Sequence, residues 1–339
     1  MTDNKIMKFK DMESGHTYET HVLLLRVNER VAKNASSYVE MTISDAESTL
    51  IARHFNCSID DLIKNGVEAE TVIKVCISIS MYNGCKSYNI INAVKSEEPS
   101  LRADDFVLKA PIDVEEAFSE LLELVENSHV DCKLDYFYDS ITELTLKLLK
   151  QNKDSFIRAS AAKTIHHNVI GGLLQHTLTM VKQAKKIVDT YPELDMELLI
   201  CGAALHDIGK IQEMSTSTIG CTDYTMDGRL LGHAAIGIMM VEEEANIGYE
   251  KERVRLLQHM IASHHGLPEY GAITQPAIPE ALVLHAIDMV DSKMYVFNEA
   301  YGKMDEGNLS EKIYALNGKT VYKPCDIGKG EKLEDDIFC

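Results

Sequence analysis

The chain has 339 residues, 45% of them apolar and 26% charged, with no tryptophan and a formal net charge of −19. That length supports real cores and two or three domains, and no run approaches the ~18 apolar residues a membrane span needs. The acidic balance argues against a broad electrostatic grip on nucleic acid, and the first thirty residues lack a signal pattern, so a cytoplasmic location is expected.

From Thr17 to about Val94 the apolar residues alternate with period two, which predicts strands. Val22 and Leu24, with Arg26, open the first, and Val39, Met41 and Ile43 mark the second. Thr49–Phe55 makes a third, Ile73, Val75, Ile77 and Ile79 a fourth, and Asn83-Gly84 turns tightly into Lys86–Ile91. A helical insert over Ile59–Asn65 follows the third strand. Five short strands with a helix after the third fit a small Greek-key barrel of the OB type. Such a barrel offers a strand face on which bases stack while basic side chains follow the backbone. The candidates are Tyr38, Arg53, Phe55, Tyr82, Lys86 and Tyr88, with Lys33 nearby. Residues 1–100 carry 11 Lys+Arg against 14 Asp+Glu, so this third is close to neutral and can host a polyanion locally.

Glu97-Glu98-Pro99-Ser100 breaks the strand pattern and sets a boundary at residue 98. Val114, Ala117, Phe118, Leu121, Leu122 and Val125 then recur at helical spacing, predicting a helical connector over residues 99–153. The eight cysteines, at 57, 76, 85, 132, 201, 221, 325 and 339, include no Cys-x-x-Cys pair and point to free thiols. A third domain spans residues 154–316, and residues 317–339 read as a tail.

Nine of the thirteen histidines fall between His166 and His285. Leu198–Lys210 is an apolar helix ending in His206-Asp207, Gly209 and Lys210, and Gly209 is a residue that commonly lets a helix stop. His176, His233, His264, His265 and Asp288 also lie in apolar helical contexts. Inward imidazoles and carboxylates are costly to bury unless they bind something, and a metal is the simplest partner. Imidazole plus carboxylate suits Mn, Fe, Co, Ni or Zn, and the lack of cysteine ligands argues against a structural zinc. His176, His206, Asp207 and Asp288 make one site, and His233, His264 and His265 make either a second, bridged by Asp207, or a set for phosphate contact and proton transfer beside a single ion. Two ions about 3.5 to 4 Å apart suit phosphoester hydrolysis, with Lys210 meeting a phosphate oxygen. Asp207 and Lys210 are the candidate catalytic residues. His285 and Asp291, within a turn of Asp288, are candidates to orient the ligands.

The pattern of His176, His206-Asp207 and Asp288 resembles the HD superfamily of metal-dependent phosphohydrolases, with His-Asp-x-Gly-Lys at 206–210 among its more specific forms. The order of an OB-type domain before an HD domain resembles, more narrowly, the YhaM family of 3'-5' exoribonucleases. His166–His176, Tyr191–Asp195, Leu231–His233, Ser263–Gly266 and Ser310–Leu316 support that likeness. The resemblance implies a multidomain α+β protein, an all-β OB-fold barrel followed by an all-α HD domain. It also implies 3'-end trimming of single-stranded RNA, some activity on single-stranded DNA, and Mn2+ or Co2+ as cofactor; the ligand types admit Fe2+ or Ni2+ as alternatives, with one or two ions bound. No membrane partner is expected, and a homo-oligomer is compatible with the pattern. Phe55 stands where the family's third strand carries a tryptophan, whereas Glu269 and Gly271 keep the family's loop after Gly266. Two other readings compete: an HD phosphohydrolase acting on free nucleotides or cyclic dinucleotides, and a single-stranded DNA-binding protein with a vestigial HD domain.

Overall fold

The period-two stretch closes on itself as a barrel. In the computed structural model, which describes residues 6–31, 37–82, 85–129, 139–161, 169–217, 219, 222–245, 248–302 and 304–325, β1 (Thr17–Val31), β2 (Ser37–Ser44), β3 (Thr49–Phe55), β4 (Thr71–Tyr82) and β5 (Cys85–Lys95) run in the order β1-β2-β3-β5-β4. β4 returns to β1, and every pairing is antiparallel except the short β3–β5 contact at Arg53 and Asn89. This is the OB strand order. Val22, Leu24, Val39, Met41, Ile43, Ile73, Val75, Ile77 and Ile79 fill the interior. Helix α1 (Ile59–Lys64) follows β3, held by a reciprocal capping box between Ser58 and Asp61, and its Leu62 joins the barrel core.

The helical body comprises α2 (Val114–Glu126), α3 (Ile141–Gln151), α4 (Lys153–Phe156), α5 (Gly172–Thr190), α6 (Met196–Leu205), α7 (Lys210–Glu213), α8 (Met226–Glu244), α9 (Lys251–Ser263) and α10 (Pro279–Gly302). A two-stranded hairpin, β6 (Met214–Thr216) and β7 (Thr222–Tyr224), is inserted between α7 and α8. Phe118, Leu121, Leu144 and Leu148 share one apolar core with Leu174, Leu199, Leu205, Leu257 and Leu284. The segment expected as a connector therefore packs as part of the helical body. Its apolar stripes have no other face to bury against. Asn317–Cys325, expected as tail, turns back on the preceding segment: Leu309 pairs with Tyr322 and Ile313 with Lys319, while the Lys323 ammonium donates to the carbonyls of Tyr301 and Met304.

Barrel and helical body are joined by a small apolar cluster. Val22, Leu23 and Leu24 are all buried because Leu23 points outward and packs with Phe106, Val107 and Ile219. Ser44 Oγ donates to the Phe106 carbonyl at 2.7 Å, and Arg26 Nη2 donates to the Thr222 carbonyl of β7 at 2.8 Å. Cys57, Cys76, Cys201 and Cys325 are free thiols. No helix among the described residues is long and apolar enough to cross a membrane. Lys33, the Asn83-Gly84 turn, Cys132, His166, His167, Cys221, Cys339 and the rest of residues 326–339 lie outside the described residues, as does the side chain of Cys85.

Candidate metal centre

Helix α6 is buried on every side from Leu198 to Leu205, and the Asp195 carboxylate caps its start by accepting from the Leu198 amide at 2.9 Å. His206 follows as its C-cap, and the chain passes through Asp207 directly into α7. Gly209 does not end the helix through a left-handed turn: its φ is −63° and ψ −18°, within the right-handed region. A glycine is needed for another reason. A Cβ there would stand 2.0 Å from the His233 carbonyl oxygen and 2.7 Å from the Gly237 nitrogen, so the missing side chain lets α8 lie against this turn. That close approach carries His233 to Asp207.

Helix α5 supplies His176 and α10 supplies Asp288 and, one turn on, Asp291. The first cluster places His176 Nε2 3.1 Å from His206 Nε2, 3.5 Å from Asp288 Oδ1 and 3.7 Å from Asp207 Oδ2. The second places His233 Nε2 3.0 Å from His265 Nε2, 3.4 Å from His264 Nε2 and 3.5 Å from Asp207 Oδ1. Asp207 thus turns one oxygen to each cluster. Within each triad, His176–His206–Asp288 and His233–His264–His265, the ligand-capable atoms all lie within 4.8 Å of one another.

The other ring nitrogens explain what the clusters are built to hold. His206 Nδ1 lies 2.9 Å from the Ala203 carbonyl and His264 Nδ1 2.7 Å from the Ile261 carbonyl. A carbonyl can only accept, so Nδ1 carries the proton and the Nε2 lone pair faces inward. His176 Nδ1 meets Asp291 Oδ2 at 2.7 Å and His233 Nδ1 meets Glu213 Oε1 at 3.1 Å. Between His176 and His206, and between His233 and His264, lone pairs converging at 3.1 and 3.4 Å repel unless a cation lies between them. Asp207 Oδ1 is also buried without a hydrogen-bond partner. The donor set therefore fits a divalent ion at each cluster, with nitrogen and oxygen ligands of the type transition metals favour.

Charge at the site points the same way. Burial opposes ionisation of Asp207, but Lys210 and His206 hold its carboxyl well below the usual range. Burial lowers His206, yet Asp207 outweighs it and raises the imidazole above its ordinary value. A proton there does in part what a cation would do. Burial, with His265 and His206 beside it, keeps His264 well below its ordinary value, and burial with His233 brings His265 to about 4. Both are neutral at pH 7 and free to ligate. Lys210 is buried, its ammonium 2.6 Å from Asp207 Oδ2. His285 Nδ1 lies 2.9 Å from the His264 carbonyl, and its ring fills the space a Cβ on Gly266 would need. Glu269 sits in the exposed turn Pro268–Tyr270, closed by Gly271 at φ 103°.

On the barrel, strand parity sorts the six candidates. Tyr38, Arg53, Phe55 and Tyr82 share the outer face with Asn28, Arg30, Glu40 and Asn89. The Tyr38 and Phe55 rings lie 5.5 Å apart, and Phe55 and Tyr82 are exposed. Tyr88 and Lys86 have the opposite parity: Tyr88 pairs with buried Ile79 and packs against the barrel core, and the Lys86 ammonium donates to the Met12 carbonyl at 2.7 Å. These two do not join the outer face. Arg30 and Arg53 both reach Glu40, at 3.1 and 3.7 Å. Arg30, absent from the sequence-based set, shares the period-two parity of Arg26 and could have been read from it. Glu213 was missed too, and nothing in Lys-Ile-Gln-Glu213 separates it from a surface acid.

A buried His-Asp pair flanked by further helical histidines and a distant aspartate defines a hydrolytic enzyme of the HD class, and the HD domain family model matches residues 173–293. Divalent-metal dependence goes with that class. Over most of its length the chain is similar to curated proteins described as 3'-5' exoribonuclease YhaM. It is 31% identical to that of Bacillus pumilus over 316 residues, 91% of this chain and 96% of the relative, and 30% identical to that of Bacillus licheniformis over 92% and 96%. That of Halalkalibacterium halodurans is 31% identical, over 91% and 94%. The chain belongs to the YhaM family of 3'-5' exoribonucleases.

Proposed function

We propose that the chain is a metal-dependent 3'-5' exoribonuclease that removes nucleotides from single-stranded RNA, with single-stranded DNA as a lesser substrate and Mn2+ as the favoured ion over Co2+, Fe2+ or Ni2+. The observation that carries this reading is Asp207, buried between two histidine clusters with one oxygen turned to each. His176, His206, Asp207 and Asp288 would hold one ion, and His233, His264, His265 and Asp207 the other. Bound ions polarise the phosphoryl group and activate water.

The chain's own groups do the rest. The Lys210 ammonium, 2.6 Å from Asp207 Oδ2, lies beside the shared carboxylate, where it would meet a non-bridging phosphoryl oxygen. A water oxygen bonds to phosphorus, the bond to the 3' oxygen breaks, and that oxygen takes a proton as a nucleoside 5'-monophosphate departs. The barrel within residues 1–98 would hold the upstream strand, with Tyr38, Phe55 and Tyr82 stacking on bases and Arg30 and Arg53 following phosphates. The names of the relatives support polarity and substrate class.

The test is 5'-labelled single-stranded RNA incubated with the protein and Mn2+. A ladder shortening one nucleotide at a time is the expected result. Intact RNA alongside hydrolysis of a free or cyclic nucleotide would overturn it in favour of a small-substrate HD enzyme; intact RNA with binding alone would favour the DNA-binding reading.

A further inference from the structure

Each histidine cluster is buttressed by one backbone carbonyl and one carboxylate, Asp291 at the first and Glu213 at the second, and Glu213 is a group that the catalytic reading does not use. Helix α8 is broken at Gly232, whose φ of 74° and ψ of 158° are open to glycine and strained for other residues. The break leaves the His233 amide without a helical acceptor. Glu213 supplies one: its Oε1 accepts from the His233 backbone N–H at 3.0 Å and lies 3.1 Å from His233 Nδ1. Glu213 is itself buried, and burial alone would raise its carboxyl, but the hydrogen bond and charge of His233 hold it below its usual range.

The residue is fixed from its backbone as well. Its carbonyl accepts from the Thr225 amide at 2.9 Å, Thr225 Oγ caps α8 by accepting from the Gly228 amide at 2.9 Å, and a Cβ on Gly228 would stand 2.0 Å from the Glu213 oxygen. Glu213 is thus held where the β6–β7 hairpin leaves α7 and returns to α8. Its one carboxylate oxygen sets both the position of the His233 backbone and the rotation of its ring.

We propose that Glu213 is the positioning residue of the second ion site: it pins the Nδ1–H tautomer of His233 and aims Nε2 at Asp207 Oδ1, so that this site, and not the first, binds its ion through Glu213. The inference rests on the two-ion reading above. Groups of this kind are worth roughly 10- to 100-fold in metal affinity.

The experiment is calorimetric titration of the metal-free protein with Mn2+, comparing wild type, Glu213→Ala and Glu213→Gln. Wild type takes up two ions; uptake of one would overturn the two-ion reading itself, a failure distinct from that of the inference. With two ions in wild type, the alanine variant is expected to weaken one binding event at least tenfold and leave the other unchanged. The glutamine variant, which keeps Oε1 as an acceptor, is expected to restore the weakened event to within about threefold. Equal weakening of both events, weakening of neither, or a glutamine variant as weak as alanine would overturn the proposal. Gly232→Ala, which keeps every atom of Glu213 but favours a continuous α8, reads the same joint if the alanine variant does not fold. It should weaken the same single event, and an unchanged titration would count against the proposal.

Discussion

The barrel carries its candidate binding groups on the outside of a finished core, whereas the helical body carries its own inside the core. In the barrel, inward Val39, Met41 and Ala52 make the fold while outward Tyr38, Glu40, Arg53 and Phe55 contribute little to it. In the helical body, His176, His206, Asp207 and His264 are as buried as the leucines around them. The difference teaches that recognition here can be edited cheaply and chemistry cannot. An outer-face residue answers only to ligand and solvent, but each ligand-capable side chain of the helical body is also a packing and desolvation problem.

The largest test of that contrast is Asp207→Ala. Losing the carboxylate shared by both clusters removes several kcal/mol of transition-state stabilisation, so kcat should fall on the order of 1000-fold. Affinity for a long RNA, measured by anisotropy, should be nearly unchanged; a matching loss of affinity would mean that the barrel is not the main holding surface. Next is Gly209→Ala. The added methyl would overlap the His233 carbonyl, and overpacking of this kind costs about 1–3 kcal/mol or more, so the helical body should unfold several degrees earlier by differential scanning calorimetry. An unchanged melting curve would show that α8 yields easily and that the close packing is dispensable.

Tyr38→Ala with Phe55→Ala should leave the melting temperature within error and weaken RNA binding tenfold or more, since a stacked base is worth about 1–3 kcal/mol. Turnover of a dinucleotide too short to reach the barrel should not change. Equal loss on long and short substrates would assign these rings to the fold. The smallest effect, and one of opposite sign, is expected for Glu40→Gln. That change frees Arg30 and Arg53 from a shared surface partner that is partly covered and worth about 1 kcal/mol or less, so RNA should bind about two- to threefold more tightly. The plot of log affinity against log salt should steepen by about 0.7 for each further phosphate neutralised.

Much of this was legible in the sequence because two periodicities are strong. Alternation at Val39, Met41 and Ile43 announced a strand with one buried face, and the spacing of Phe118, Leu121 and Val125 a helix. The histidines stood out because nine of thirteen crowd one region among leucines. Other features were hidden for physical reasons. The side on which Tyr88 falls depends on the register between β4 and β5: Tyr82 stands opposite Cys85 and therefore Tyr88 opposite buried Ile79. Gly209 reads as a helix stop, and only the approach of α8, some twenty-five residues on, reveals another use. Glu213 is defined by a partner across a hairpin, and no local pattern encodes that. Residues 99–153 carry the stripes of a connector, and only the three-dimensional core shows what they cover.

The seam between the two regions has a consequence for the products. Phe106 is fully buried among Leu23, Val107 and Ile219, and Arg26 grips the Thr222 carbonyl, so the outer face of the barrel is tied to the hairpin that leads back to the metal centre. On the proposed reading, a tied seam would make the enzyme a ruler. RNA long enough to span from the Tyr38–Phe55 pair to Asp207 would be held at both ends, and RNA shorter than that gap would be held at one and released. Limit digests should therefore end at a narrow band of fragment lengths, and that band should broaden when the Arg26 and Phe106 contacts are cut.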